Sequence, residues 1–202
     1  VVTLDKSIPA AAGLGGGSAD AAAGLVLAGR YFGVDRAQLG ELAPQLGSDV
    51  PFCLVGGTAR VGGRGEHVDP MESLHGFALG LVVPPVEIST PAAFRRWDEL
   101  DEPRGLRMPQ AALPPELRGE GDLFNDLYPA AAALAPELGD WRASLESAWS
   151  RPVMLSGSGP TLYGFFLDTE EAEDAVSSIP TGARFAEACG LATVGWRITD
   201  DG

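Results

Sequence analysis

The apolar and polar residues of this chain change period several times, and each change marks the edge of an element. Val1-Val2-Thr3-Leu4-Asp5 has the β-branched composition of a strand end, closed by the turn-prone Ile8-Pro9. From Ser18 the residues Ala19, Ala22, Ala23, Val26, Leu27 and Tyr31 recur at helical spacing, with Ser18 as the expected cap, Asp20 in the first turn and Gly33 as the stop. Asp35 and Gln38 form a capping-box pair for a second helix, whose stripe Leu39, Leu42, Ala43 and Leu46 ends at Gly47. Ser48-Asp49-Val50-Pro51-Phe52 then puts Asp49 at the start of an apolar run that closes at Gly56-Gly57.

Thr58 to Val61 reads as a short strand, followed by a glycine-rich turn at 62–65 and a polar stretch to about Met71. Residues 77–83 are a continuous apolar strand stopped by Pro84-Pro85, and Ser89-Thr90-Pro91 predicts a helix start with Thr90 as cap. Residues 101–121, rich in Pro, Gly and acids, predict a loop. Helical spacing fills 125–150 with a break at Pro136, and Val153-Met154-Leu155 leads into Ser156-Gly157-Ser158-Gly159-Pro160. Leu162 to Leu167 predicts a strand, Thr169 the cap of a helix reaching about Ile179, and Val194-Gly195-Trp196 a closing strand. Strands and helices alternate without a solenoid period, which predicts an α+β or α/β class with a boundary near residues 70–75.

Composition narrows the partners. A chain of 202 residues with 45% hydrophobic content is expected to fold, and its net charge of −14 argues against nucleic acid or an anionic membrane as a partner. A small anion remains compatible, because a nest of backbone amides holds one inside an acidic protein. Lys6 is the only lysine, against thirteen arginines. Cys53 and Cys189 lack metal-ligand spacing and fit buried apolar roles in a reducing compartment. With no signal-like start and no membrane-length apolar run, a cytoplasmic location is expected. His67 and His75 read as surface or turn residues, and Trp97, Trp141, Trp149 and Trp196 as core or interface residues.

The chemistry concentrates in Pro9, Ala10, Ala11, Ala12, Gly13, Leu14, Gly15, Gly16, Gly17, Ser18 and Ala19, with four glycines in five positions ahead of a helix. Glycines let backbone approach a ligand, and a helix start leaves amides pointing outward, so this is the layout of a phosphate cradle. It is not a Walker loop, for no Gly-Lys-Ser/Thr closes it, and Ser18 stands where a dinucleotide fingerprint needs its third glycine. A flexible loop ahead of a helix is the competing reading. The 156–159 cluster reads by itself as a tight connection between strands. Asp49 reads as an N-cap, a position that also suits a carboxylate base.

Lys6-Ser7-Ile8-Pro9 followed by Gly13-Leu14-Gly15-Gly16-Gly17-Ser18-Ala19 resembles the signature loop of the GHMP small-molecule kinases, which include galactokinase, homoserine kinase, mevalonate kinase and phosphomevalonate kinase. Within that superfamily, the blocks Leu46-Gly47-Ser48-Asp49-Val50-Pro51-Phe52, Ser89-Thr90-Pro91-Ala92-Ala93-Phe94, Asn125-Asp126 and Ser156-Gly157-Ser158-Gly159 resemble the branch that acts on a cytidylated methylerythritol in the non-mevalonate isoprenoid route. The resemblance implies an α+β, two-domain GHMP kinase fold. Residues 1–72 would form a ribosomal protein S5 domain 2-like N-terminal domain, truncated at its start, and 73–202 a ferredoxin-like C-terminal domain.

It further implies ATP and Mg²⁺, with the amides of Gly13 to Ser18 on the phosphates and the Ser18 hydroxyl facing the β/γ-phosphates or the metal. Asp49 would take the proton of the acceptor hydroxyl, while Thr90 and Phe94 would face the small-molecule substrate. Lys6 would either approach the nucleotide or stand as a solvated charge. A monomer or homodimer is implied. Family members also carry an N-terminal Pro-Ala-Lys-Ile-Asn-like motif that this sequence does not contain, so the expectation is the larger part of such a kinase. A nucleotide-binding remnant and a kinase for another alcohol, such as homoserine or mevalonate, are the alternatives.

Overall fold

The computed structural model describes residues 2–119 and 121–199. By its contacts the chain divides into two compact units. One comprises Val1–Asp5, Gly15–Leu74 and Leu191–Gly202, and the other Lys6–Leu14 and His75–Gly190. The chain therefore passes between the units four times, and Leu74 to His75 is one of those passages.

The first unit holds helices α1 (Gly16–Phe32), α2 (Arg36–Leu46) and α3 (Val50–Val55) and a hairpin of β1 (Ala59–Gly62) and β2 (His67–Pro70). The helices pack around Ala22, Ala43 and Val50, small residues that let their backbones come close. The Asp35–Gln38 capping box forms as expected, with the Gln38 amide 2.9 Å from Asp35 Oδ1. Helix α1 begins three residues earlier than expected, because Gly15 at φ 66° serves as its N-cap and leaves Ser18 inside the first turn without a capping role. Only part of the expected α1 stripe is buried: Ala22 and Val26 pack inward, whereas Leu27 and Tyr31 are exposed. Residues 2–7 carry no strand, since β-branched residues become a strand only beside a partner and no described strand pairs with them; Val1 lies outside the described residues. The polar stretch to Met71 contains β2, held in register with β1 from Ala59↔Pro70 to Gly62↔His67.

The second unit is built on an antiparallel sheet in the order β6-β7-β3-β8, from β3 (Ala78–Val83), β6 (Met154–Leu155), β7 (Leu162–Phe166) and β8 (Phe185–Cys189). Counting these four strands along the chain gives the spatial order 2-3-1-4, a ferredoxin-like arrangement. Between the first two strands run α4 (Thr90–Glu99), a ribbon of β4 (Leu106–Arg107) and β5 (Phe124–Asn125), α5 (Tyr128–Leu134) and α6 (Glu137–Trp149); α7 (Thr169–Ser177) precedes β8. The core joins Val82 and Leu162 of the sheet to Leu138, Leu145 and Trp149 of α6, and the Trp149 indole donates to the Ala175 carbonyl at 3.0 Å. Gly164 leaves room for that indole, whose Cε3 lies 3.1 Å from where a Cβ would stand.

Three expectations change here. Residues 101–121 hold β4, two 3₁₀ turns (Gln110–Ala112 and Pro115–Leu117) and a small core of Met108 and Leu113 against Met154, because the prolines set turns that fold apolar residues inward. The closing strand is β8, paired with β3 from Leu79↔Cys189 to Val83↔Phe185, while residues 193–195 form a bend. Asp168, not Thr169, caps α7, accepting from the Glu171 amide at 2.9 Å. No helix among the described residues is long and apolar enough to cross a membrane.

Leu145→Ala removes a fully buried side chain and is expected to cost about 2–5 kcal/mol, read from the denaturant midpoint. Glu171 accepts from Arg151 at 2.7 Å and from the Leu167 amide at 2.7 Å, and these bonds, the arginine's first, hold its carboxyl below the usual value. A lowered folded-state pKa stabilises above the unfolded value, and that share is lost as pH falls through the folded one. The unfolding midpoint of the protein is therefore expected to drop between about pH 5 and pH 3, with Glu171→Gln showing a shallower drop. Equal slopes for the two proteins would contradict this.

Candidate active site

The expected cradle is divided between the two units after Leu14. In the second unit, residues 10–13 form a strap in which the carbonyls of Ala10, Ala12 and Gly13 are engaged. The Ala10 carbonyl accepts from the Arg184 guanidinium at 2.9 Å, the Ala12 carbonyl from the Thr161 amide at 3.2 Å and from the Thr161 hydroxyl, and the Gly13 carbonyl from Ser156 Oγ at 2.8 Å. In a trans peptide, C=O and the next N–H point in opposite directions. The amides of Ala11, Gly13 and Leu14 are thereby turned away from these donors, and none of them donates a bond among the described residues. Backbone hand alternates along the same stretch, with φ 55° at Ala11, 75° at Gly13 and 66° at Gly15 and no positive φ at Ala12 or Leu14. That alternation is the geometry of an anion-binding nest. Gly13 lies so close to the Gly159 carbonyl that a Cβ would overlap it.

The second glycine cluster is thus a clamp on the strap, and it is itself clamped. Asn125 Nδ2 donates to the carbonyls of Leu155 and Gly157, both at 2.8 Å, while its Oδ1 accepts from the Leu127 amide at 2.9 Å. Asp126 accepts from the Gly105 amide at 2.8 Å. Thr90 does not cap α4, whose N-cap is Ser89; its hydroxyl meets that of Ser158 at 2.8 Å. The exposed Thr90 is held from below by Ser158, which is 6% exposed, and Phe94 stands one turn further along α4 with half its surface open.

In the first unit, Gly15, Gly16, Gly17, Ser18 and Ala19 make the turn into α1. The amides of Ser18 and Ala19 are already committed to the Gly15 carbonyl, at 2.9 and 3.0 Å, so the Ser18 amide, expected to face a phosphate, is spent locally. Its hydroxyl lies near Gly47, 4.0 Å from where a Cβ would stand there. Asp49 occupies the N-cap position of α3, but its side chain makes no cap bond and is exposed. Burial, with the Asp49 charge adding to it, pushes the Cys53 thiol up, which marks the carboxylate as one turn away. The backbone beneath Asp49 is fixed from both sides. Gly65 abuts the Ser48 carbonyl in front, and behind, Gly56 abuts Val194 and Gly195 while the Trp196 indole donates to the Leu54 carbonyl at 3.2 Å.

Among the described residues, no three His, Cys, Asp or Glu side chains cluster as a metal cage. A cation held mainly by phosphates plus one hydroxyl is compatible with this donor set. Sequence reading missed Thr161 and Arg184. Its place directly after the 156–160 segment was the only hint of the first, which the structure buries fully, and nothing local signals the second.

The profile of the GHMP kinases N terminal domain matches residues 1–57, and that of the GHMP kinases C terminal domain matches 110–183. A solved 4-(cytidine 5'-diphospho)-2C-methyl-D-erythritol kinase superposes with a TM-score of 0.73 at 32% identity, over 93% of this chain and 70% of that one. The chain belongs to the GHMP kinases, a family that uses ATP. Among its relatives, the 4-diphosphocytidyl-2-C-methyl-D-erythritol kinase of Corynebacterium efficiens is 40% identical over 87% of this chain and 58% of its own length, and that of Nocardia farcinica 40% identical over 93% and 64%. The chain thus spans about six tenths of the length of these two relatives. A homoserine kinase from Cytophaga hutchinsonii, 19% identical with a TM-score of 0.66, over 94% of this chain and 69% of that one, shares the fold.

Two glycines separate the cradle's contact requirement from its flexibility. Gly13→Ala is expected to destabilise by about 1–3 kcal/mol, whereas Gly17→Ala, with nothing within 4 Å of its added Cβ, is expected to be neutral or stabilising by up to about 1 kcal/mol. Thermal unfolding of the two variants reads the contrast, and equal shifts would remove the case for a fitted strap.

Proposed function

We propose that this chain carries out, as the larger part of such an enzyme, ATP-dependent phosphorylation of the 2-hydroxyl of 4-diphosphocytidyl-2-C-methyl-D-erythritol. The observation that carries the reading is the strap at 10–13: the carbonyls of Ala10, Ala12 and Gly13 are bound, which leaves the amides that follow them for an anion. The names of relatives at 40% identity supply the acceptor.

In this reading the amides of Ala11, Gly13 and Leu14 bind phosphate oxygens, and in the first unit the first amides of α1 at Gly16 and Gly17, which no helical carbonyl can reach, are of the kind that binds anions. Such preset donors favour the charge that develops on the transferred group without reorganising during the reaction. Asp49 accepts the proton of the acceptor hydroxyl as that oxygen bonds to the γ-phosphorus and ADP departs. An exposed carboxylate on a fixed backbone suits this task, a contribution of about 10²–10⁴ in rate. Ser18 would hold a Mg²⁺ ion through its hydroxyl, and that ion would supply charge neutralisation at the phosphates. Thr90 and Phe94 contact the acceptor, the first by hydrogen bond and the second by its ring.

Acceptor-dependent ADP release in a coupled assay tests the reading, with homoserine and mevalonate as competing acceptors. The cytidylated methylerythritol is expected to be the acceptor that drives release. Asp49→Asn is expected to lower turnover by about 10²-fold or more with nucleotide affinity unchanged. Full turnover in that variant would remove Asp49 from the chemistry, and release driven equally by homoserine would change the substrate.

A further inference from the structure

Arg184 has an arrangement that neither the family motifs nor the expected site residues include. It stands just ahead of β8, where its backbone amide donates to the Val83 carbonyl at 2.8 Å. Its guanidinium reaches two carbonyls, Ala10 at 2.9 Å and Val86 at 3.3 Å, and pairs at 3.7 Å with Glu87, whose side chain is 77% exposed. A pair with a solvated carboxylate at that distance neutralises little of the guanidinium charge. Arg184, by contrast, is mostly buried.

The remaining strap donors, Thr161 and Ser156, are neutral. Arg184 is the charged one, and it acts on the first peptide of the strap. Binding the Ala10 carbonyl turns the Ala11 amide to the opposite side, at a residue whose φ of 55° is costly for alanine and needs an external hold. The same side chain ties that peptide to Val86, on the segment that leads into α4. A chain with net charge −14 opposes a polyanionic ligand at long range, so a half-buried positive charge directly behind the nest counts for more here than in a neutral protein.

We propose that Arg184 is the positioning residue of the nucleotide strap, fixing the Ala10–Ala11 peptide for phosphate binding and placing a positive charge behind it. The proposal rests on the reading of the strap as a phosphate site. Its test is the dissociation constant of ADP, measured by calorimetry on the whole chain at low and high salt. Arg184→Met is expected to weaken ADP about tenfold, the scale of one lost charge-assisted bond, and to flatten the salt dependence. Arg184→Lys, which keeps the charge and a donor, is expected to stay within about threefold. Arg184→Gln, which keeps a donor and loses the charge, is expected to fall between the two and decides the matter where the methionine variant does not fold. Arg118→Met is the control, since Arg118 also binds two carbonyls, those of Leu113 and Ala111, without touching the strap. It is expected to leave ADP affinity unchanged even where it lowers the melting temperature. If the unaltered chain fails to bind ADP, the phosphate reading itself falls. If it binds ADP and the Arg184 variants bind it equally well, the phosphate reading stands and the role of Arg184 is overturned.

Discussion

A glycine-rich segment attracts an anion only if its carbonyls are kept away from it, because every peptide carries a repelling oxygen for each attracting amide. In this chain that separation rests on the capture of the Ala10, Ala12 and Gly13 carbonyls by Arg184, Thr161 and Ser156. The loops of the second unit are arranged around that capture. Asn125 holds the carbonyls of Leu155 and Gly157, the held loop presents Ser156 and Thr161, and Gly13, having no Cβ, fits against the Gly159 carbonyl. Each captured carbonyl that lost its donor while remaining buried would cost about 1–3 kcal/mol, so the native arrangement resists slipping by a residue in either direction.

Local signals in the sequence were read correctly where the decisive partner lies within a few residues. The Asp35–Gln38 box, the break at Pro136 and the apolar run that became β3 are of this kind. They failed where a distant group competed for the same side chain. Thr90 has the chemistry of a cap, yet its hydroxyl belongs to Ser158, 68 residues away, and Ser89 takes the cap position. Ser18 lost its capping role to Gly15, whose left-handed backbone starts the helix three residues early. The strap was legible as a phosphate candidate from its glycines, but its orientation was not, since Thr161 acts on it from 149 residues away. The closing strand was misplaced for a related reason. Residues 193–196 have strand-like composition, whereas pairing with β3 selects Phe185–Cys189.

The arginines show how an acidic chain with a single lysine uses its few cations. Arg118 binds the Leu113 and Ala111 carbonyls, Arg142 that of Val153, Arg151 those of Trp149 and Phe165, and Arg184 those of Val86 and Ala10. A planar guanidinium with five donors closes irregular backbone in a way an ammonium does not, because its directions are fixed in advance. Arg142, Arg151 and Arg184 also pair with Glu146, Glu171 and Glu87, so the same cation serves a carboxylate and carbonyls that the helix and strand ladders leave without a partner.

The two units solve the same problem with opposite choices of what to fix. In the strap, side chains grip the backbone and leave amides available. Around Asp49, backbone grips backbone through the close approaches at Gly65 and Gly56, and the side chain is left available. A base anchored by its own carboxylate would have to break that bond before accepting a proton, and the energy of the broken bond would add to the barrier. In the role proposed for Asp49, anchoring through glycine contacts avoids this, since those contacts do not change when the carboxylate is protonated. Glycines that look permissive in the sequence are therefore the restrictive positions of this fold: Gly13, Gly56 and Gly65 exclude a Cβ, and the last two fix the backbone that carries the exposed Asp49.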